Sequence, residues 1–358
     1  MGEHERGLQV QMTSRERVLI AFEHREPDHV PTWCGASTEF WEKAKRTLAL
    51  DDEGLRQRLG DDFRRVFAAY VGPDFALSQG ATSRTVFGIE RQGMGYGQPM
   101  DHPLANSTLA EVEAYPWPDP KWMDVSPIRA EAEKYGRRYA MLGGDWSPFF
   151  HDAIDLLGME NLFLKMYDEP ELVDAVFRHL VDYYATVSQR IFDAAASVID
   201  IFFIGNDFGT QRGPVLGESL FRRFVLPHLK RLIDLGHEYG LKVMLHCCGG
   251  YAPLIPAMIE AGLDGLHAVQ PSCDGMDLIT LKRAFGDKIL FNGAIDSHHV
   301  LIRGTPAFVR EKTRQVLKIM KPGGGYVAGA SHDWILEETP LENVLAMFDA
   351  IQAFGNYE

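Results

Sequence analysis

LKVMLHCCGG, residues 241–250, is the stretch of sequence that decides the fold. Its apolar run, 242–246, is typical of a strand buried on both faces of a parallel sheet. The run ends in polar residues and a glycine pair, as expected where a strand leads into a loop. Seven further short apolar runs occur near 30–35, 65–71, 138–143, 198–204, 263–269, 288–293 and 325–330.

Helical patterns separate the later runs. In 218–239 apolar residues recur at the i, i+3, i+4 spacing of an amphipathic helix, and Pro227 is expected to kink or divide that helix. Eight strands that alternate with helices predict an α/β protein with a single (β/α)8 TIM-barrel domain. A doubly wound open sheet is the alternative, and the missing GxGxxG turn weakens it.

The barrel domain is predicted to span residues 12–358, after a disordered leader over residues 1–11. Thr13 and Glu16 have the spacing of a capping box that begins the first helix. The stretch 83–98 predicts a hairpin inserted after the second strand. The sequence therefore predicts one domain with a short insertion.

Composition and charge exclude several classes of function. The chain has 50 acidic and 36 basic residues, for a formal charge of −14, which argues against binding to nucleic acid or to anionic membranes. No apolar run approaches the roughly 20 residues of a membrane span. The charged N-terminus lacks an apolar signal region, and four cysteines do not suggest a disulfide framework. We expect a cytoplasmic protein, and the sequence leaves open whether it forms a homodimer.

Polar side chains follow six successive strands of the predicted barrel. Barrel active sites lie at the carboxyl ends of the strands, so these residues are the candidates for chemistry. Taken singly, each of them is also explained as an ordinary polar loop residue. Polar residues at six successive strand ends together indicate a functional site. They are Asp145, Asn206 with Asp207, His246 with Cys247 and Cys248, His267 with Gln270, Asn292 with Asp296, and Ser331 with His332 and Asp333.

His246 and Cys248 are candidate metal ligands. Residues i and i+2 share a face of an extended strand, so both side chains can turn toward one ion while Cys247 faces the barrel wall. An imidazole and a thiolate suit zinc with one open position. The alternative is a buried histidine beside two small apolar cysteines. No third soft ligand is obvious: Cys34 and Cys273 lie near other strand ends, and His332 and Asp333 follow the eighth strand.

Asp145 and Asp207 are candidates for general acid/base work. Their alternative role is to cap backbone N–H groups in loops, as Asp often does. Asp296 is predicted to cap the helix that follows it, and 323–325 is predicted to form a tight turn. Candidate substrate-binding residues are Trp146, Asn206, His267, Gln270 and Asn292. Aromatic residues near strand ends are candidates either for a pocket or for the core: Trp41, Trp146, Phe149 and Phe150.

Six segments together resemble the uroporphyrinogen decarboxylase superfamily. The resemblance covers nearly everything from Met12 to Phe354, and the combination of the HxCG block with the TPLEN block is quite specific. It implies a (β/α)8 barrel with its cleft at the carboxyl ends of the strands. The segments are RVLIAFEHREPDHVPTW, GNDFGTQRG, LPHLKRLIDLGHEYGLKVMLHCCGG, IEAGLDGLHAVQP, LKRAFGDKILFNGAID and GASHDWILEETPLENVLAMFDAI.

The superfamily contains two chemistries. Its decarboxylases remove acetate carboxyl groups from uroporphyrinogen and resemble one another in an Arg-rich segment after the first strand. Here that stretch is TWCGASTEFW, with no Arg from Pro31 to Trp41, and the acidic chain suits an eight-carboxylate substrate poorly. The other branch comprises corrinoid-dependent methyltransferases. The sequence favours that branch.

The methyltransferase branch binds zinc through its HxC motif and a second Cys after the last strand. His246 and Cys248 match the first two ligands, whereas AGASHDW has no Cys at the third position. The resemblance thus implies that Ser331, His332 or Asp333 replaces it, or that zinc is absent. A site with fewer thiolates is a harder Lewis acid that is better suited to an ether or hydroxyl oxygen.

The resemblance therefore predicts transfer of a methyl group from a small donor, a methoxylated aromatic (O-demethylation), to a corrinoid (cobalamin) carried by a partner protein. The metal or His332 would polarise the donor oxygen, and a protonated Asp145 or Asp207 would stabilise the leaving oxygen. Cobalt(I) of the partner would attack the methyl carbon from the barrel mouth. The alternatives are uroporphyrinogen-type decarboxylation and a non-catalytic barrel that binds a corrinoid or tetrapyrrole.

Overall fold

The structure, a computed structural model, describes residues 12–93 and 97–357. The predicted leader, residues 1–11, lies outside the described residues. The strands are β1 (Phe63–Arg65), β2 (Ala69–Tyr70), β3 (Ser83–Arg84), β4 (Glu90–Gln92), β5 (Gln98–Pro99), β6 (Met123–Asp124), β7 (Ala140–Gly143), β8 (Ile201–Gly205), β9 (Gly209–Thr210), β10 (Gly213–Pro214), β11 (Lys242–His246), β12 (Gly265–Val269), β13 (Leu290–Ile295) and β14 (Tyr326–Ala330).

Helices fill most of the chain between these strands. They are α1 (Ser14–Phe22), α2 (Thr38–Leu48), α3 (Asp52–Leu59), α4 (Leu109–Glu113), α5 (Ile128–Tyr135), α6 (Phe149–Leu157), α7 (Met159–Asp168), α8 (Pro170–Ala195), α9 (Glu218–Leu220), α10 (Leu226–Glu238), α11 (Ile255–Glu260), α12 (Leu278–Phe285), α13 (Pro306–Met320) and α14 (Leu341–Phe354). Among the described residues, no helix is both long and apolar enough to cross a membrane.

A curled seven-stranded sheet forms the centre of the molecule. Its strand order is β1-β7-β8-β11-β12-β13-β14, and every neighbouring pair is parallel. The sequence prediction of an α/β protein with buried parallel strands is confirmed, because β7, β8, β12, β13 and β14 are buried along their whole length.

The first two predicted strands differ from the structure. Segment 30–36 makes single parallel bridges, Thr32 with Ala328 and Ala36 with Ile335, and forms no regular strand. The backbone N–H of Asp62, just before β1, donates to the Thr32 carbonyl at 2.9 Å. The prediction for 65–71 was wrong in its bounds, since β1 ends at Arg65 and β2 pairs antiparallel with β6 outside the main sheet.

Side chains alternate between the two faces of each central strand, so the buried apolar residues form two separate clusters. Leu142, Phe203 and Met244 belong to the smaller cluster, on the inner side of the curled sheet. Their neighbours along the strands pack in the larger cluster, between the sheet and the helices. Side chains two residues apart share a side of a strand, so His246 extends on the same side as Met244. The inner cluster therefore leads directly to the candidate histidine.

Local predictions about helix ends are confirmed. The Thr13 side chain accepts the Glu16 N–H at 3.2 Å, and the Glu16 carboxylate accepts the Thr13 N–H at 2.8 Å, which completes the capping box. The amphipathic pattern over 218–239 is divided by a π-helical turn over 221–225, and α10 begins beside Pro227. Proline lacks the N–H that a continuous helix would use, which explains the break.

The predicted hairpin at 83–98 is a three-stranded antiparallel sheet, β3-β4-β5, with one more strand than expected. We call residues 83–93 and 97–99 the insertion. Phe87 and Ile89 anchor it in the larger apolar cluster, and both are buried. Arg91 of β4 forms an ion pair with Asp155 of α6. These contacts hold the insertion against the side of the strand ends where the candidate site lies.

Candidate active site

Three side chains from two neighbouring strand ends meet beyond β8 and β11. The His246 Nε2 atom lies 3.4 Å from Cys248 Sγ and 3.5 Å from Asp207 Oδ1. The Cys248 backbone N–H donates to Asp207 Oδ1 at 2.6 Å, which fixes the Asp207 loop against the next strand. We call Asp207, His246 and Cys248 the ligand cluster.

The ligand cluster has the composition of a metal site. One ligand atom from each of the three residues lies within 4.8 Å of the others. Nitrogen, sulfur and oxygen donors suit zinc, and three protein ligands leave the fourth tetrahedral position for a substrate. The third candidate ligand atom belongs to Asp207, which the sequence predicted as a carboxyl for acid/base work. Asp207 lies in the loop after β8, so its place beside His246 and Cys248 was not readable from the HxC motif.

His332, predicted as a metal ligand and catalytic residue, is not part of this cluster. Its Nδ1 atom accepts the Trp334 backbone N–H at 3.0 Å. It lines another cavity, of about 370 Å³, together with Gln270. The Gln270 side chain accepts the Gly249 N–H at 2.9 Å and so braces the loop after Cys248. His332 lies close enough to influence His246 and His267 electrostatically, but among the described residues it makes no hydrogen bond with His246 or Cys248.

A second set of donors, His246, His267 and Asp333, shares His246 with the ligand cluster. The Nδ1 atoms of His246 and His267 lie 3.0 Å apart, and His267 Nε2 lies 3.9 Å from Asp333 Oδ1. If His246 Nδ1 donates its proton to His267, the His246 Nε2 lone pair is free to face Asp207 and Cys248. An outer partner of this kind fixes the tautomer of a metal-binding histidine.

The charge states of these groups follow from burial and from their neighbours. Burial lowers the pKa of His246 and lowers that of His267 well below its usual range, so both rings are neutral and able to act as ligands. Burial would raise the pKa of Asp207, but hydrogen bonds from the His151 side chain and from the Cys248 backbone N–H hold it well below its usual range. Burial raises the pKa of the Cys248 thiol, so its ionisation requires a cation close by.

A cavity of about 430 Å³ opens beside the ligand cluster, between the insertion and the start of α6. Asp207 and His246 line it on one side, and Phe87 and Trp146 contribute aromatic surface. Trp146 therefore lines a cavity, as its predicted place in a pocket requires. The Trp146 and His246 rings lie 5.5 Å apart, centroid to centroid.

The wall of this cavity also contains a group of ionisable residues that the sequence did not reveal. We call Arg91, Asp152, Asp155 and Tyr184 the polar wall; all four line the cavity. Tyr184 donates to Asp152 Oδ2, and burial raises the pKa of Asp152 to about 7. The only available signal was a pair of acidic residues three apart in FFHDAIDLL, an otherwise apolar helix.

The remaining predicted residues have mainly structural contacts. Asp145 accepts the Ser147 N–H at 3.2 Å, the loop-capping alternative, and burial raises its pKa. Asn206 is fully buried; it accepts the Phe150 N–H at 2.9 Å, and one edge of it lines the cavity. Asn292 is fully buried beside Met244.

The other local predictions near the strand ends have clear outcomes. The Asp296 side chain accepts the His298 and His299 N–H groups, so the predicted helix cap is confirmed. The turn at 323–325 has positive φ at all three glycines, as a tight turn requires. Of the candidate aromatic residues, Phe149 and Phe150 belong to the core, whereas Trp41 lines a separate cavity near β1.

Known proteins provide an independent comparison. The family model described as "Uroporphyrinogen decarboxylase (URO-D)" matches residues 99–354. The methylcobamide:CoM methyltransferase MtbA of Methanosarcina acetivorans is 23% identical over 208 residues, which cover 57% of this chain and 58% of that protein. The methylated-thiol–coenzyme M methyltransferase of Methanosarcina mazei is 25% identical over 197 residues, covering 55% of this chain and 49% of the relative. The chain thus spans about half the length of these methyltransferases.

A decarboxylase and a solved structure complete the comparison. The uroporphyrinogen decarboxylase of Anaeromyxobacter dehalogenans is 26% identical over 272 residues, covering 74% of this chain and 73% of that enzyme. The solved structure of a methyltransferase from Methanosarcina mazei superposes with a TM-score of 0.70 and 19% identity, over 96% of this chain and 99% of that one. At that identity the superposition establishes a shared fold.

Proposed function

The chain belongs to the uroporphyrinogen decarboxylase (URO-D) family, and from that membership we propose that it transfers a methyl group from a methoxylated aromatic donor to a corrinoid carried by a partner protein. One observation carries the proposal: the ligand cluster borders a cavity with aromatic walls. The barrel would close as eight strands, with segment 30–36 in the eighth place, and the partner would dock over the carboxyl ends of the strands.

The charges around the cavity favour methyl transfer over decarboxylation. Three carboxylates, those of Asp152, Asp155 and Asp207, line the cavity beside Arg91, which is already paired with Asp155. A substrate that carries many carboxylates needs a basic cleft. A neutral aromatic ether has no such need, and apolar walls of this size suit it.

The residues present fit a zinc ion, which Asp207, His246 and Cys248 would hold. Zinc bound there supplies a Lewis acid for the ether oxygen of the donor. A neutral His246 and an ionised Asp207 are the protonation states that ligands require, and both follow from their surroundings. His267 orients His246 through the contact between their Nδ1 atoms. Trp146 and Phe87 bind the ring of the donor and exclude water from it.

The predicted proton donors need revision. Asp207 is held ionised, so it does not fit the role of a protonated carboxyl at neutral pH. The role of Asp145 stays a prediction: its raised pKa suits a neutral carboxyl, and its contacts are those of a loop cap. His332 faces another cavity, so polarisation of the donor falls to the ligand cluster.

The test is a methyl-transfer assay with zinc-loaded protein, 2-methoxyphenol and free cob(I)alamin in place of the partner's corrinoid. We expect methylcob(III)alamin and 1,2-dihydroxybenzene to form in equal amounts, followed by absorbance and chromatography. 1,2-Dihydroxybenzene, which has no methyl group, serves as the control donor. No transfer from any methoxylated aromatic, together with methylation of 2-mercaptoethanesulfonate by methylcob(III)alamin, would place the enzyme on the thiol side instead. Release of CO2 from uroporphyrinogen would favour decarboxylation.

A further inference from the structure

The wall of the cavity beside the ligand cluster contains two chemically different groups. Asp207 and His246 form one group, where the proposed chemistry takes place. Asp152 and Tyr184, from α6 and α8, form the other. The Tyr184 ring packs edge-on against Phe87 of the insertion, at 5.6 Å between centroids. A ring bound in this cavity would therefore be surrounded by a wall that contains both groups.

Asp152 and Tyr184 form a buried hydrogen-bonded pair, and one oxygen of Asp152 remains able to form a further hydrogen bond. The Tyr184 hydroxyl donates to Asp152 Oδ2. The other oxygen, Oδ1, lies 4.0 Å from Arg91 Nη2, beyond hydrogen-bonding distance. Asp152 is only 3% exposed and lines the cavity, so a ligand bound there would cover this oxygen, which then needs a hydrogen-bond partner. A ligand hydroxyl in the cavity would meet this need.

Arg91 and His151, two basic side chains of the cavity wall, already have acidic partners. Arg91 Nε donates to Asp155 Oδ2 at 3.1 Å, and His151 Nε2 lies 3.5 Å from Asp207 Oδ2. A donor with its own carboxylate would displace one of these pairs or add an unpaired negative charge among three aspartates. Desolvation of such a charge is costly. The cavity is therefore built for an uncharged ligand.

From these contacts we infer that the cavity selects uncharged methoxyphenols over methoxybenzoates, with Asp152 and Tyr184 binding the free hydroxyl of the ring. The inference rests on the proposed methyl transfer, because it names the substrate class of the same site. The hydroxyl forms a hydrogen bond with Asp152 Oδ1, as the donor when Asp152 is ionised and as the acceptor when Oδ1 carries the proton. Tyr184 keeps Asp152 in place through its own hydrogen bond. The methoxy group then lies toward Asp207 and His246.

The test measures binding alone, by calorimetry on the zinc-loaded protein without any corrinoid. The probes are 2-methoxyphenol, methoxybenzene and 2-methoxybenzoate, which differ only in the group beside the methoxy substituent. We expect 2-methoxyphenol to bind at least about tenfold more tightly than either of the others. Tyr184→Phe and Asp152→Asn should each weaken its binding about tenfold and leave methoxybenzene unchanged.

Tyr183→Phe is the matched control. Tyr183 precedes Tyr184 on α8 and packs against the same Phe87 ring, but its hydroxyl has no hydrogen-bond partner. This variant should bind 2-methoxyphenol as the wild type does, and circular dichroism of all three variants checks the fold. Equal binding by the three variants, tighter binding of 2-methoxybenzoate, or no binding of 2-methoxyphenol would overturn the inference.

Failure of the inference and failure of the proposed function give different results. Selective binding that depends on Tyr184, with no transfer to cob(I)alamin, supports the selectivity and rejects the methyltransferase. Transfer from 2-methoxyphenol at the same rate and KM in Asp152→Asn and Tyr184→Phe supports the methyltransferase and rejects the selectivity.

Discussion

The two sides of the cavity differ in how their residues come together. Two members of the ligand cluster, His246 and Cys248, are two residues apart in the chain, and the third follows the neighbouring strand. The polar wall brings together residues from three elements, up to 93 positions apart from Arg91 to Tyr184. Two residues of the ligand cluster could be predicted from their spacing in the sequence. The polar wall, in contrast, forms only when the insertion packs on α6 and α8. The motif therefore identifies two of the proposed metal ligands, whereas the residues proposed to select the substrate are found only in the tertiary structure.

The largest expected effect is that of a substitution in the ligand cluster. Cys248→Ala removes the only sulfur donor of the ligand cluster, so we expect zinc content to fall from about one per chain to a small fraction of that, and methyl transfer to be lost. The measurement is metal analysis of protein purified without a His-tag or added metal. Cys273→Ala, a change at a buried thiol outside the cluster, should keep its zinc. Full zinc retention in Cys248→Ala would show that the cluster is not the metal site.

The second-largest expected effect is on the pH dependence of folding stability, to which Asp152 of the polar wall contributes. Burial raises the pKa of Asp152 from 3.8 to about 7, so between these values the folded protein holds a proton that the unfolded chain has released. The contribution of Asp152 to folding stability must therefore fall as pH rises through this window, and the loss is complete above pH 7. Asp152→Asn should remove a pH dependence on the order of 4 kcal/mol between pH 4 and pH 8.

Urea unfolding of the wild type and Asp152→Asn at pH 5 and pH 8 measures this effect. Glu171→Gln, at an exposed carboxyl on the same long helix that carries Tyr184, controls for the loss of one charge. If the stability difference between Asp152→Asn and the wild type is the same at both pH values, the buried acid does not titrate as described.

A smaller effect is expected from the outer partner of the ligand cluster. His267→Ala leaves Asp207, His246 and Cys248 in place but removes the ring that fixes the His246 tautomer. We expect zinc affinity to fall about 10- to 100-fold, measured by competition with a chelating dye. His332→Ala, at the histidine that faces the other cavity, should leave the affinity unchanged. The opposite order of the two effects would restore His332 as the ligand that the sequence predicted.

The smallest effect lies away from both sides of the cavity. Thr13→Ala breaks the capping box of α1 and should cost about 1 kcal/mol of unfolding free energy in urea, with no effect on zinc or ligand binding. Thr13→Ser keeps the hydroxyl and should retain most of the stability. A change in ligand binding in Thr13→Ala would mean that the site depends on this helix end more than its local contacts indicate.

Much of the fold follows from local patterns. The family prediction from six sequence blocks is confirmed by the match over 99–354. Six of the eight predicted strands coincide with strands of the central sheet over most of their length, because continuous apolar runs have few alternatives when both faces are buried. The run 65–71 failed because it combines the end of β1 with exposed residues such as Phe67 and Val71. Hydrophobicity alone does not distinguish an exposed apolar loop from a buried strand.

The sequence by itself determined the parallel α/β architecture, the helix caps at Thr13 and Asp296, the break near Pro227, and the pairing of His246 with Cys248. Each depends on residues a few positions apart, whose relative placement the backbone geometry sets. Only the tertiary structure decided that Asp207 lies beside that pair, and that Asp152 meets Tyr184 in the cavity wall. Those contacts depend on how separate elements pack, and so do the charges they carry, because burial and neighbouring groups set each pKa.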